Sequence, residues 1–145
     1  MSTMFDHCLY FNTTALARRL EREWTEAFSI FELSPPQAFM LRVVLDKPGL
    51  LQRELADELS IARPTATRAL DFLQAKGLIE RHGRNGDGDG DGREICIYPT
   101  SEAIAFQAAL NEASGEVTRK LKKLLGSTEF AETVMKIRSV RSALE

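Results

Sequence analysis

Cysteine, histidine and long apolar runs are scarce in this chain of 145 residues, and each scarcity excludes something. The two cysteines, Cys8 and Cys96, and the two histidines, His7 and His82, lie at no spacing that zinc ligands use. No metal or other cofactor is expected, and the thiols read as reduced and partly buried. No stretch is apolar for long enough to cross a membrane. Asp6 and His7 stand where a secretion signal would carry basic residues before an apolar run, so the expected location is cytoplasmic. An excess of one charge is missing too. The formal net charge of -2 excludes a crude polycation, so any affinity for nucleic acid must come from sorting charge in space. A Gly-x-Ser-x-Gly elbow, a phosphate-binding loop and a dinucleotide fingerprint are all absent, and the chain is not expected to be an enzyme.

What remains is a globular composition, with 43% hydrophobic and 28% charged residues, in one domain or two small lobes. The most informative stretch runs from Leu50 to Tyr98. Leu51, Leu55, Ala56 and Leu59 recur at helical spacing, Ser60-Ile61-Ala62 turns the chain, and a second helix starts near Arg63 with Pro64 in its first turn. Gly77 ends that helix, and Lys76 lies in its last turn. Ala66, Leu70 and Leu73 form its inward stripe. Arg63, Pro64, Thr65, Thr67 and Arg68 are left at its N-terminal end, the end that meets base edges when such a helix enters the major groove. Arginine can donate two bonds to guanine, and threonine offers a hydroxyl and a methyl. Leu78 to Arg81 and Glu94 to Tyr98 are β-prone runs flanking a glycine-rich loop and read as a hairpin. Arg81, Arg84 and Arg93 flank its tip and are expected to serve the DNA backbone. The pair of helices and the hairpin together read as a winged helix-turn-helix.

The run from Leu55 through Thr100 resembles the MarR (multiple antibiotic resistance regulator) family of bacterial transcription factors. The matching residues are Thr65, Thr67 and Arg68, then Gly77-Leu78-Ile79-Glu80-Arg81, then Asp91 and Arg93, and finally Tyr98-Pro99-Thr100. The resemblance implies an obligate homodimer, with Arg93 as the wing arginine oriented by Asp91. It also implies an effector pocket between the DNA-binding lobe and the dimer helices, with Phe11, Trp24, Phe28, Phe39 and Met40 as candidate lining for a small aromatic or apolar effector. One departure is the repeated Gly-Asp of the wing, which sets Asp87, Asp89 and Asp91 where DNA would approach. Their spacing opens a calcium loop, but Tyr98 stands where the bidentate glutamate is needed, so a solvated acidic loop is expected.

Outside this stretch the patterning is helical, and the expected fold class is mainly α with a small β-hairpin wing (α+β). Leu9, Leu16, Leu20, Trp24, Ala27 and Phe28 predict one long helix from Asp6 to about Phe28. Ser34-Pro35-Pro36-Gln37 predicts a capped helix that stops at Lys47-Pro48-Gly49. A further helix runs from Pro99-Thr100 towards Leu125, and a last one follows Gly126 through Phe130, Val134, Ile137 and Val140. The terminal helices expose more apolar surface than a lone lobe could cover, which predicts an intersubunit bundle. Residues 1–33 and 100–145 are therefore expected to form the dimerisation region, and 34–99 the DNA-binding lobe. Two recognition helices one DNA turn apart match a pseudo-palindromic operator in double-stranded DNA. The expected function is a homodimeric, sequence-specific repressor released by a small molecule. Two alternatives stand beside it. One is a redox-sensing regulator switched through Cys8, which sits near the start of the first helix beside Tyr10 and Phe11, as the sensing cysteine does in some members of the family. The other is a winged-helix protein-interaction module, which the weakly positive local charge between Ile61 and Arg93 would suit.

Overall fold

Local signals set most of the element boundaries. In the computed structural model, whose described residues are 1–83 and 94–145, helix α1 spans Leu9–Phe28 and a single 3-10 turn, Ser29–Phe31, closes it. The helix begins later than its apolar spacing suggests. Cys8 is extended (φ -89, ψ 119) and caps it, with Sγ accepting from the Phe11 N–H at 3.5 Å, so the preceding residues cannot join. Helix α2, Pro35–Asp46, starts in the expected capping box. Ser34 Oγ accepts from the Gln37 N–H at 3.4 Å and Gln37 Oε1 accepts from the Ser34 N–H at 2.9 Å. It is buried on several sides through Ala38, Met40, Leu41, Val44 and Leu45.

Pro48 and Gly49 then let the chain turn into a two-residue strand, β1 (Leu50–Leu51), whose second residue is expected from its spacing to open the following helix. Helix α3 (Gln52–Glu58) starts one residue later, and Glu54 Oε1 accepts the Leu51 N–H at 2.9 Å. Ser60 takes a left-handed conformation (φ 54) in the turn before α4, Arg63–Ala75. Helix α4 ends on Gly77 (φ 77). The Gly77 N–H reaches the Gln74 carbonyl at 3.0 Å and the Leu78 N–H reaches that of Leu73 at 2.9 Å, which satisfies two orphan carbonyls. A Cβ at Gly77 would meet nothing nearer than Glu102 Oε2 at 3.7 Å, so alanine there is opposed by backbone conformation alone. Gly77→Ala is expected to lower the unfolding free energy by about 1–2 kcal/mol. Urea denaturation reads this, and an unchanged midpoint would mean that the left-handed residue is not what ends α4.

Strands β2 (Ile79–Gly83) and β3 (Ile95–Pro99) form the hairpin, and β1 adds to the free side of β3, giving an antiparallel sheet of order β1-β3-β2. Leu51 and His82 both face Cys96 across β3, and Arg81 faces Ile97. The expected two-stranded wing is thus three-stranded. A two-residue strand has no period to read, which is why β1 escapes a sequence pattern. The acidic loop from Asn85 to Gly92, with Asp87, Asp89 and Asp91, lies outside the described residues, as do Arg84 and Arg93.

After the sheet, Thr100 Oγ1 accepts the Ala103 N–H at 3.3 Å and starts α5, Ser101–Ala105. The single helix expected to run to Leu125 is broken at Phe106 (φ -110, ψ 15), whose ring stacks on Phe31 at 5.6 Å. Helix α6 then covers Gln107–Leu125, and α7 covers Ser127–Ala143 beyond Gly126 (φ 86). One core joins Phe28 of α1, Met40 and Leu41 of α2, Leu55 of α3, Leu70 and Leu73 of α4, Ile79 and Ile97 of the sheet, and Leu110 of α6. The outer apolar residues stay outside it. Leu9 and Leu16 of the apolar stripe on α1 are exposed, as are Leu124, Leu125, Val134, Met135, Ile137 and Val140, and no residue of α7 is fully buried. Among the described residues, no helix is long and apolar enough to cross a membrane.

Candidate nucleic-acid interface

Helix α4 is held so that only one end of it is free. Ala66, Leu70 and Leu73 are fully buried, and Ala69 nearly so, which locks the helix against α2, α3 and β2. Its first two turns leave Arg63, Pro64 and Arg68 exposed and Thr65 half-buried. Pro64 there costs no backbone bond, because the first helical N–H groups have no internal partner. Arg68 makes no hydrogen bond or ion pair with another described residue, so its guanidinium is available to a ligand. Arg63 borders a cavity of about 280 Å³ shared with Gln52, Arg53 and Glu94. Arg53 pairs with Glu94 at 3.3 Å across that cavity, tying the start of α3 to the base of the wing.

Two of the residues expected at the DNA are engaged inside the protein. Thr67 Oγ1 donates to the Arg63 carbonyl at 3.0 Å and accepts from Gln52 Nε2 at 2.9 Å. It joins α3 to α4 and so fixes the angle at which α4 is offered. Arg81 is the larger correction. Its side chain is only 17% exposed. It donates to Asp71 Oδ1 at 2.7 Å, Gln74 Oε1 at 2.8 Å and the Thr67 carbonyl at 3.4 Å. Its Nε is buried without a partner. Arg81 therefore braces β2 against the outer face of α4, where the sequence alone places it free beside the DNA backbone. Strand alternation carried the signal, since Arg81 is two residues from buried Ile79 and faces inward with it. His82 points the other way. It is exposed, with Nε2 3.1 Å from Glu80 Oε2 and its ring 5.3 Å from that of Tyr98.

Several positioning residues carried no sequence signal. Lys76 does more than complement the end of its own helix. Its ammonium donates to the Glu32 carbonyl at 2.7 Å and the Phe31 carbonyl at 3.2 Å, so the C-terminal end of α4 is tied to the turn that closes α1. Lys47 reaches Glu58 at 2.7 Å, joining the ends of α2 and α3, and this hydrogen bond raises its pKa above the usual lysine value.

A second opening lies between α1, the start of α2 and the turn before α4. It has a volume of about 560 Å³ and is walled by Leu20, Trp24, Phe39, Leu59 and Ile61, with Glu21 beside them. Of the expected effector-lining residues, Trp24 and Phe39 border it. Phe28 and Met40 do not, because both are fully buried in the core. Phe11 packs instead on Phe5 at 5.4 Å near the start of α1. Cys8 is exposed at the cap of α1.

This geometry, with a buried α3–α4 pair, a braced sheet and a free helix end, coincides with a sequence match. Residues 31–94 match the model of the MarR family. This lobe belongs to the MarR family. No curated protein matches the chain in sequence. Solved structures extend the likeness beyond the MarR-family lobe. The Staphylococcus aureus MepR–DNA complex superposes with a TM-score of 0.83 at 20% identity, over 100% of both chains. The repressor CouR bound to a 23-mer DNA duplex gives 0.83 at 21% identity, over 97% of this chain and 99% of that one. The PcaV regulator of Streptomyces coelicolor with its natural ligand gives 0.79 at 22% identity, over 100% of this chain and 99% of that one. At these identities the likeness is one of fold, and it places the terminal helices as well as the MarR-family lobe within one architecture.

Proposed function

We propose that the chain is a homodimeric regulator that represses transcription by reading double-stranded DNA and is released by a small aromatic or apolar effector. The observation that carries this reading is the N-terminal end of α4. Arg63, Pro64 and Arg68 are exposed and Thr65 is half-exposed on a helix whose other face is fully packed. A helix offered in this way fits the major groove, with arginine for guanine and threonine for thymine or phosphate. DNA complexes of MepR and CouR, which share the fold, support it. Arg84 and Arg93 would add backbone contacts at the wing.

The helices outside the MarR-family lobe supply the dimer. Leu9, Leu16, Leu124, Leu125, Val134, Met135, Ile137 and Val140 are exposed apolar residues on α1, α6 and α7, and a second copy of the chain would bury them. Residues 1–33 and 100–145 then form the dimerisation region around two lobes of 34–99. The opening beside Trp24 and Phe39 sits between the two regions, where an effector would favour a separation of recognition helices that no longer fits the half-sites. PcaV, of the same fold, was solved with its natural ligand.

Fluorescence anisotropy on the DNA flanking the protein's own coding region tests the reading, beside a scrambled duplex and across a salt series. Tighter binding to the native duplex is expected, with an affinity that falls steeply as salt rises because phosphate contacts release counterions. Equal and feeble binding to both duplexes would favour the protein-interaction module instead.

A further inference from the structure

A polar node sits at the edge of the apolar packing where α1, α2 and α6 cross, with Ser114 buried, Trp24 and Arg42 half-buried and Asn111 exposed. Ser114 of α6 is 6% exposed and is the one polar residue that is buried as a whole among the described residues. Its Oγ accepts from Trp24 Nε1 of α1 at 3.0 Å and from an Arg42 guanidinium nitrogen of α2 at 3.1 Å. Arg42 Nε donates to Asn111 Oδ1, one turn earlier on α6, at 2.8 Å. The guanidinium also lies 5.0 Å from the centroid of the Phe39 ring. No carboxylate forms an ion pair with Arg42 among the described residues, and burial lowers its pKa from the ordinary arginine value.

Adhesion alone does not account for this node. Well-packed apolar side chains of similar volume hold helices together at least as well as a partly desolvated charged group. Directional hydrogen bonds add an angle, since they are satisfied in one arrangement and broken in its neighbours. The three helices joined here belong to the two regions of the proposed function, with α2 in the MarR-family lobe and α1 and α6 in the dimerisation region. Trp24 has two roles at once. Its indole N–H is held by Ser114 while the side chain walls the opening between α1 and the turn before α4.

We propose that Ser114 and Arg42 are positioning residues that hold the winged-helix lobe at one angle to the dimer helices, and that Trp24 couples this angle to occupancy of the adjacent opening. The inference rests on the DNA-binding reading for its consequence, but the angle itself can be measured without DNA. In a Cys8→Ser, Cys96→Ser background, spin labels at Ala75→Cys on α4 and Lys123→Cys on α6 report the distance between the two regions. Diluting labelled with unlabelled protein leaves only distances within one chain. The parent is expected to give one narrow distribution, and Ser114→Ala one roughly twofold broader, as the lobe samples neighbouring orientations. Arg42→Met, which keeps the bulk of the side chain and removes the donors, is expected to do the same. The double variant should be no broader than either, because both substitutions break one node. Trp24 is the chain's single tryptophan, so its emission in the otherwise unmodified protein should also move with Ser114→Ala.

On DNA, Ser114→Ala is expected to weaken native-duplex binding by about tenfold with an unchanged salt slope, since the phosphate contacts are retained and only their alignment is lost. Distributions as narrow as the parent's in both single variants would overturn the proposal, whatever the thermal stability does. Absence of DNA binding by the unmodified protein, with broadening still seen, would overturn the regulatory reading and leave the angle-setting role established.

Discussion

Leu70→Ala is expected to lower the unfolding free energy by about 2–5 kcal/mol, one of the two largest effects that a single substitution in this chain should produce. Leu70 is fully buried in the middle of α4, on the stripe it shares with Ala66 and Leu73. Helix α4 packs on α2, α3 and β2 together, so the space left by the missing carbon atoms is bounded on several sides. Ala66 and Ala69 beside it are small and cannot reach in to fill that space. Poor collapse keeps the cavity open, which places the cost towards the upper part of the range. Urea denaturation followed by far-UV circular dichroism should show a lower midpoint with an unchanged slope. A loss below about 1 kcal/mol would mean that the site collapses freely, or that α4 does not anchor this core as described.

Arg68→Ala is expected to act in the opposite way, leaving the fold intact and weakening native-duplex binding by about 10–100-fold, the range for losing a two-bond contact to a base. Arg68 is exposed on the free face of α4 and meets no described carboxylate, so its removal uncovers no buried partner and leaves no cavity. The melting temperature should stay within the scatter of surface substitutions. Arg68→Lys should recover charge attraction and little of the discrimination, because an ammonium cannot present two parallel donors to one guanine. Anisotropy on the native and scrambled duplexes separates the outcomes. A base-reading arginine loses affinity mainly for the native duplex, whereas a phosphate contact loses it equally on both. If Arg68→Ala binds the native duplex as tightly as the parent does, this end of α4 does not read the groove.

Arg68 and Arg81 show where residue type informs and where it misleads. Both are arginines near a recognition helix, and residue type assigns both to DNA, Arg68 to base edges and Arg81 to the backbone. Their contacts divide them. Arg68 meets no described partner, while Arg81 is enclosed by Asp71, Gln74 and the Thr67 carbonyl. Period-two alternation after Ile79 was enough to turn Arg81 inward, so that part was legible. Thr67 differs in kind. Its outward position follows from helical spacing, but a helical wheel does not place Gln52 of a neighbouring helix within reach of its hydroxyl. Likewise, the family resemblance implies a pocket and offers Phe11, Trp24, Phe28, Phe39 and Met40 as its lining. Only packing separates Trp24 and Phe39, which border the opening, from Phe28 and Met40, which lie in the core.

The sequence by itself determined those starts, stops and faces that rest on local signals. The Ser34 box, the Pro64 start, the Gly77 stop and the Gly126 break each act on groups within a few residues, and the spacing of Leu70 and Leu73 depends only on helix geometry. The tertiary structure alone decided what those faces meet. Strand β1 exists because β3 offers a free edge, Lys76 of α4 reaches the turn after α1, and Arg42, Ser114 and Trp24 meet where three helices cross. Those partners are separated by 44 to 90 positions, a range at which local backbone preferences carry no information and only the packing of complete elements brings side chains together.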